Sequence, residues 1–137
     1  MLTNRFPEVA EALGILEFEI HGRINTRMLS PKTLYKAYLV FKLADETYGF
    51  RNEPIKAAVL LGGAEVSDRE VYVQAESGIV GDGDQYPKER GDSWFEVELG
   101  EIEFTKERGV NFEIRLRRAT GELKSGVIIQ GMEIRPN

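Results

Sequence analysis

Residues that could carry out chemistry are few in this sequence, and most of the usual catalytic sets are missing. The chain has no cysteine, which excludes a disulfide, a thiolate metal ligand and a cysteine nucleophile. Its one histidine, His21, has neither a second histidine for a metal site nor an elbow serine to activate, so we interpret it as a surface residue. In the segment VGDGDQ, Asp82 and Asp84 have the spacing found at the start of a calcium-binding loop. The glutamate that ends such a loop is absent, so a polar turn is favoured. The sequence therefore predicts no enzyme, no metal and no cofactor.

A single tryptophan, Trp94, offers a different chemistry, the binding of a sugar. The apolar residues that alternate after it are Phe95, Val97 and Leu99. Trp94 therefore shares the outer face of its strand with Glu96 and Glu98, and Asp92 precedes it. An indole can stack on the apolar side of a pyranose while carboxylates accept hydrogen bonds from its hydroxyls and acetamide N–H. Two alternatives stay open for Trp94, namely that it covers a sheet edge or lies in a dimer interface.

The elements that must position these residues are β-strands. Apolar and polar residues alternate with period two in the segments 16–20, 35–43, 95–99 and 110–116. Further β-rich runs cover residues 55–61, 71–75 and 126–134, with glycine- and proline-containing turns between the runs. This pattern predicts one all-β domain over residues 1–137, either an antiparallel two-sheet β-sandwich or a barrel, with one to three short helical turns at 7–13 and 30–33 and a short N-terminal arm at 1–13.

Chain direction predicts which loops lie together. If successive strands are antiparallel, the N-terminal arm and the loops 44–54, 76–92 and 118–124 share one end of the sandwich. Exposed aromatic side chains need a reason, and this end holds more of them than the other. The predicted carbohydrate-binding residues are Trp94, Tyr48, Phe50, Tyr86, Arg90, Asp92, Glu96 and Phe6. The alternative for Tyr48 and Phe50 is packing beneath their own loop.

Composition narrows the class of protein. The formal net charge of −5 disfavours RNA or DNA as the main ligand, because phosphate binding draws on a concentrated basic surface. The chain lacks an apolar run of the roughly 20 residues that span a bilayer, and its first residues do not read as a signal peptide. These features predict a soluble intracellular domain that does not act on membranes.

Three segments together resemble the phloem protein 2 (Nictaba-related) lectin family. The first contains IHGRI, LSPKT and YKAYLVFKL at residues 20–43, the second is RGDSWFEVELGE at 90–101, and the third is KSGVIIQGMEIRP at 124–136. They follow the family's order, and the resemblance covers residues 14–137. It implies a β-sandwich similar to the sugar-binding domain of glycoprotein-reading F-box proteins. The implied ligands are N-acetylglucosamine oligomers (chitooligosaccharides), N-glycan cores and glycoproteins that carry them. The implied setting is the cytoplasm or phloem sap, and also the nucleus, with a homodimer and a role in phloem or plant defence.

The sequence also departs from the tobacco member of that family. Tryptophans in a longer N-terminal arm matter for sugar binding there, whereas the short arm here holds only Phe6. Of two glutamates implicated there, one corresponds to Glu113 and the other falls at Arg117 or Arg118, and the basic nuclear-localisation run has no counterpart. A second hypothesis therefore stays open, a protein- or RNA-interaction module of phloem trafficking that has lost the sugar site.

Overall fold

The structure is a computed structural model that describes residues 4–5, 10–11, 15–25, 33–48, 53–75, 78–104 and 111–136. All the secondary-structure elements in these residues are strands, which confirms the all-β prediction. In chain order they are β1 (Asn4–Arg5), β2 (Ala10–Glu11), β3 (Ile15–Asn25), β4 (Thr33–Tyr48), β5 (Ile55–Leu61), β6 (Ala64–Val71), β7 (Lys88–Gly91), β8 (Trp94–Phe104) and β9 (Asn111–Pro136).

The strands form two antiparallel sheets that share the long strand β9. Sheet A has the order β7-β8-β4-β9, with the short strands β1 and β2 also paired to β9. Sheet B has the order β3-β9-β5-β6. Residues 111–124 of β9 pair within sheet B, and residues 125–136 pair within sheet A. Because β9 passes from one sheet to the other, polar residues on its two halves lie on opposite outer faces of the sandwich.

The core lies between the two sheets, and period-two alternation selects its residues. Successive side chains of a strand point to opposite faces, so every second residue of β4 is buried: Tyr35, Ala37, Leu39 and Phe41. The inward residues of β9 in sheet B are Phe112, Ile114 and Leu116. The outward phase of β4 is partly covered as well, because Val40 is 0% exposed.

The structure corrects several predicted boundaries. The two strands expected on either side of residues 118–124 are one continuous strand, because pairing passes from sheet B to sheet A without a turn. The segment between the predicted strands 55–61 and 71–75, expected to be a turn, contains β6, which follows a tight turn in which Gly62 and Gly63 have φ values of 60° and 87°. As an edge strand β6 is largely exposed, so its sequence lacks the alternation that marks half-buried strands.

Four further predictions are adjusted in the same way. The strand expected at 71–75 ends at Val71, and the expected loop 76–92 contains β7. Ala10–Glu11, placed in a helical turn by the sequence, forms β2 on the edge of β9. Thr33 begins β4, and the rest of the two expected helical turns lies outside the described residues.

Candidate functional site

Trp94 lies at the start of β8, on the outer face of sheet A. Its neighbour Phe95 points inward, with its ring centroid 6.2 Å from that of Phe41. The indole therefore points to the other side, where it is partly exposed and the Lys42 ammonium lies 5.0 Å from the ring centroid. A cation over an exposed ring contributes about 0.5–1 kcal/mol, so the indole is held in place but not sealed from a ligand.

The hairpin turn before Trp94 explains its position. Asp92 and Ser93 connect β7 to β8 and have φ values of 53° and 67°. Positive φ at both central residues is the requirement of a type I′ hairpin turn, and aspartate tolerates this region better than most residues. Asp92, predicted as a sugar contact, is exposed and has this structural role in the turn.

A network of two arginines and two glutamates covers the outer face of sheet A beside the tryptophan. Arg135 donates two hydrogen bonds to Glu96, at 3.1 and 2.6 Å, and one to Glu133 at 3.2 Å. Arg90 of β7 lies 3.0 Å from Glu133 and 3.4 Å from Glu96. The side chain of Glu133 is only 3% exposed, so its charge depends on these two partners.

The ring of Tyr38 packs against Arg135 of this network. The guanidinium carbon of Arg135 lies 3.9 Å from the centre of the Tyr38 ring. Burial raises the pKa of the Tyr38 hydroxyl above its usual value of 10.0, which keeps the phenol neutral. The surface made by Trp94, Tyr38, Glu96, Arg90 and Arg135 is called the Trp94 face below.

The tripeptide Glu-Ile-Arg occurs twice on β9, once in each sheet. In both copies the isoleucine is buried and the arginine Nε donates to the glutamate two residues earlier, at 2.9 Å in Glu113-Ile114-Arg115. The Arg115 hydrogen bond lowers the pKa of Glu113 below its usual value of 4.5. Glu113 thus lies on the outer face of sheet B, opposite the Trp94 face, so one ligand site cannot contain both Glu113 and Trp94.

Tyr86 lies in a different environment from Trp94. Its ring stacks on Tyr72, with centroids 4.7 Å apart and planes inclined by 13°. Tyr48 ends β4 opposite Ser125, and its side chain lies outside the described residues, as do Phe50 and Phe6.

Of the predicted site residues, the structure thus brings together Trp94, Arg90 and Glu96. The sequence interpretation missed Tyr38, Glu133 and Arg135. Tyr38 could have been found from the sequence, because it is in the outward phase of its strand. The strand at 126–134 reads as apolar on both faces, so its sequence does not show that Glu133 points outward. Within the described ranges the structure contains no group of three acidic or histidine side chains that could hold a metal ion, and no helix able to cross a membrane.

Comparison with known proteins defines the class of this domain. The family model for phloem protein 2 matches residues 2–136, so the chain belongs to the phloem protein 2 family. Its relatives include the Arabidopsis thaliana F-box protein PP2-B10, which is 45% identical over 97% of this chain and 50% of its own length. The putative F-box protein PP2-B2 of the same plant is 40% identical over 96% of this chain and 44% of its own length. The chain spans about half the length of the curated relatives it matches.

Two solved structures are more distantly similar. A Bacillus thuringiensis insecticidal delta-endotoxin, Cry8Ea1, aligns with 88% of this chain and 18% of its own at a TM-score of 0.47 and 15% identity. The EclA C-terminal domain, a sugar-binding protein, aligns with 98% of this chain and 77% of its own at a TM-score of 0.40 and 13% identity.

Proposed function

We propose that this domain is a non-enzymatic lectin domain that binds N-acetylglucosamine oligomers and N-glycan cores on the Trp94 face. The observation that carries the proposal is the outward, partly exposed Trp94 in a chain that matches the phloem protein 2 family along nearly its whole length. The indole offers an apolar surface for a pyranose, and charged groups that can orient hydroxyls lie on the same face.

The chemistry of the Trp94 face suits a neutral sugar. Arg90 and Arg135 fix the carboxylate of Glu96 in place, and a carboxylate with about four acceptor positions can also accept from a hydroxyl. The contact of Lys42 with the indole is weak enough for a sugar ring to replace it. We retain Tyr48, Phe50 and Phe6 as proposed extensions of this surface and Asp92 as a proposed contact. Tyr86, which stacks on Tyr72, is retained as a proposed contact only for an oligomer that extends beyond the Trp94 face.

Calorimetric titration of the 137-residue chain with chitotriose tests the proposal. A stacked ring contributes about 0.5–1.5 kcal/mol beyond the area it buries, so Trp94→Ala should weaken binding about tenfold while the unfolding transition stays near that of the parent. The matched control is Val66→Ala, because Val66 is an apolar residue of sheet B that is 50% exposed. Equal chitotriose affinity for the parent and Trp94→Ala contradicts the proposed site.

A second function is favoured by a specific feature of the Trp94 face. Cations lie over both of its aromatic rings, and Glu96 is paired with two arginines, so the side chains of this face already use part of its binding capacity on one another. This arrangement suits a domain that has lost its sugar site and binds a protein. This second function requires that a glycan array shows no bound chitooligosaccharide or N-glycan, and binding of either one contradicts it.

The family resemblance also motivates proposals about the whole protein. The relatives are named F-box proteins and are about twice as long as this chain, so we expect the lectin domain to be the recognition part of a larger protein. Short glycans bound at open sites bind weakly, and a homodimer would compensate by multivalency. Light scattering of the purified chain tests for the dimer, and imaging of the tagged protein tests for the cytoplasm and phloem sap.

A further inference from the structure

A cleft of about 420 Å³ lies at the end of β6, separate from the residues of the Trp94 face. It is lined by Arg69, Glu70 and Tyr72 on one side and by Asp84 and Gln85 of the following loop on the other. This volume is at the lower end of the range of about 300–1,000 Å³ that small-molecule sites occupy. The cleft therefore has room for a small ligand such as one or two sugar rings.

The loop wall of the cleft is held by specific contacts. The Tyr72 N–H donates to the Gln85 carbonyl at 2.9 Å, and the Tyr86 ring stacks on Tyr72. The Lys88 ammonium donates to the Gly81 carbonyl at 2.9 Å, and a Cβ at Gly81 would lie 2.7 Å from Cγ of Tyr86. The loop that carries Asp84 and Gln85 is thus tied to the sheet, and a ligand would meet groups already in position.

The opposite wall carries a fixed guanidinium. Arg69 Nη1 donates to Glu98 at 2.7 Å, and the Lys36 ammonium lies 3.3 Å from the same carboxylate. Arg69 and Lys36 share the carboxylate of Glu98, and the exposed carboxylates of Glu70 and Asp84 raise the number of carboxylates here to three against these two cations, which leaves an excess of negative charge. Such a cleft disfavours sialylated, sulfated or phosphorylated ligands.

The cleft is too far from the indole to form one ring-sized site with it. Glu98, which anchors Arg69, follows Trp94 by four residues on β8, and a strand rises about 3.3 Å per residue, so about 13 Å separates them. A single pyranose in the cleft therefore does not contact the tryptophan.

We propose that this cleft binds one neutral pyranose unit of a glycan, a proposal that rests on the lectin function proposed above. Carboxylates accept hydrogen bonds from vicinal hydroxyls, which suits Asp84 and Glu70. The Gln85 amide both donates and accepts, and Arg69 supplies N–H donors of fixed orientation. Tyr72 provides the aromatic surface beside these polar groups.

Chemical-shift mapping on the ¹⁵N-labelled 137-residue chain tests the cleft. The probes are N-acetylglucosamine, methyl α-mannoside and the anionic N-acetylneuraminic acid, each titrated separately. The amide signals of Tyr72, Asp84 and Gln85 should shift with at least one neutral sugar and least with the anionic one. Asp84→Asn should weaken this binding by about tenfold or more, because the substitution removes the charge of the acceptor and replaces one carboxylate oxygen with an NH₂ donor. The matched control is Asp82→Asn, which changes an exposed aspartate of the same loop that does not line the cleft.

The outcomes separate this proposal from the lectin proposal. Shifts confined to the surroundings of Trp94 overturn the cleft and leave the lectin function standing. Cleft shifts with mannoside alone, in a chain that does not bind chitotriose, support the cleft and overturn the proposed ligand. Cleft shifts caused by a lysine-rich peptide and by none of the sugars show a peptide site and overturn the proposal. Equal weakening by the Asp82 and Asp84 variants also overturns it.

Discussion

Replacement of Arg135 by alanine tests whether the arginine–glutamate network on sheet A stabilises the domain. The substitution removes two hydrogen bonds to Glu96, one to Glu133 and the contact over the Tyr38 ring. Removing one partner of a buried ion pair costs about 3–5 kcal/mol, because a charge is left without compensation. Arg135 is 25% exposed and Arg90 still contacts both carboxylates, so we expect a smaller loss of about 2–3 kcal/mol.

Arg115→Ala is a matched control on the same strand. Arg115 makes the same contact to the glutamate two residues earlier, but its side chain is 49% exposed, so the expected loss is about 0.5–1 kcal/mol. Urea unfolding measures both free energies by linear extrapolation. For a chain of this length, each kcal/mol of lost stability lowers the Tm by about 3–4 °C. The Tm of Arg135→Ala should therefore lie about 6–12 °C below that of the parent.

Two results would refute this reasoning. A loss below about 1 kcal/mol for Arg135→Ala means that the network contributes no more than a surface ion pair. Equal losses for the two arginine variants mean that the difference in burial does not change how much each copy of Glu-Ile-Arg contributes to stability. Arg135→Lys should recover only part of the loss, since lysine restores the charge but not the two-pronged contact to Glu96.

Three further predictions concern the core, the ligand requirements and the pH dependence. Phe41 is fully buried, so Phe41→Ala should destabilise the fold by about 3–5 kcal/mol in urea unfolding, and a loss under 1 kcal/mol contradicts its place in the core. Chitotriose binding should be unchanged by EDTA and by reducing agent. If EDTA abolishes binding and calcium restores it, the prediction is wrong and Asp82 and Asp84 are calcium ligands. Because Arg115 lowers the pKa of Glu113 in the folded state, the stabilisation by this group is complete above pH 4.5 and is lost as the pH falls through the lower folded value. The stability difference between the parent and Glu113→Gln should therefore shrink on acidification, and a difference that is constant with pH refutes the assigned ion pair.

Much of the Trp94 face could be derived from the sequence, but its connections could not. The period of the strand places Trp94 and Glu96 outside the core, because side-chain direction follows from the local pleat. The partners of Glu96 are Arg135, which is 39 residues away, and Arg90 of another strand. Which residues meet over such separations depends on the register between strands, and one residue of slip would send each side chain to the other face.

The loop prediction shows a second limit of the sequence. Chain parity groups Tyr86 with Trp94, but parity counts strands, and the exposed edge strand β6 and the short β7 carry no clear alternation to count. In the structure the Tyr86 ring packs on Tyr72, which lines the cleft at the end of β6.

The sequence by itself determined the all-β class and the inward phases of β4, β8 and the first half of β9, because alternation is a local property of an extended chain facing water on one side. Only the tertiary structure decided that β9 belongs to both sheets. That single feature places Glu113 on one outer face and Glu133 on the other, although each is the first residue of the same tripeptide. The neighbouring strands then decide their exposure: the side chain of Glu133 lies between Arg90 and Arg135 at 3% exposed, and that of Glu113 lies beneath Arg115 at 11%. Burial and charge pairing depend on which strands pack together, and no local pattern in the chain encodes that choice.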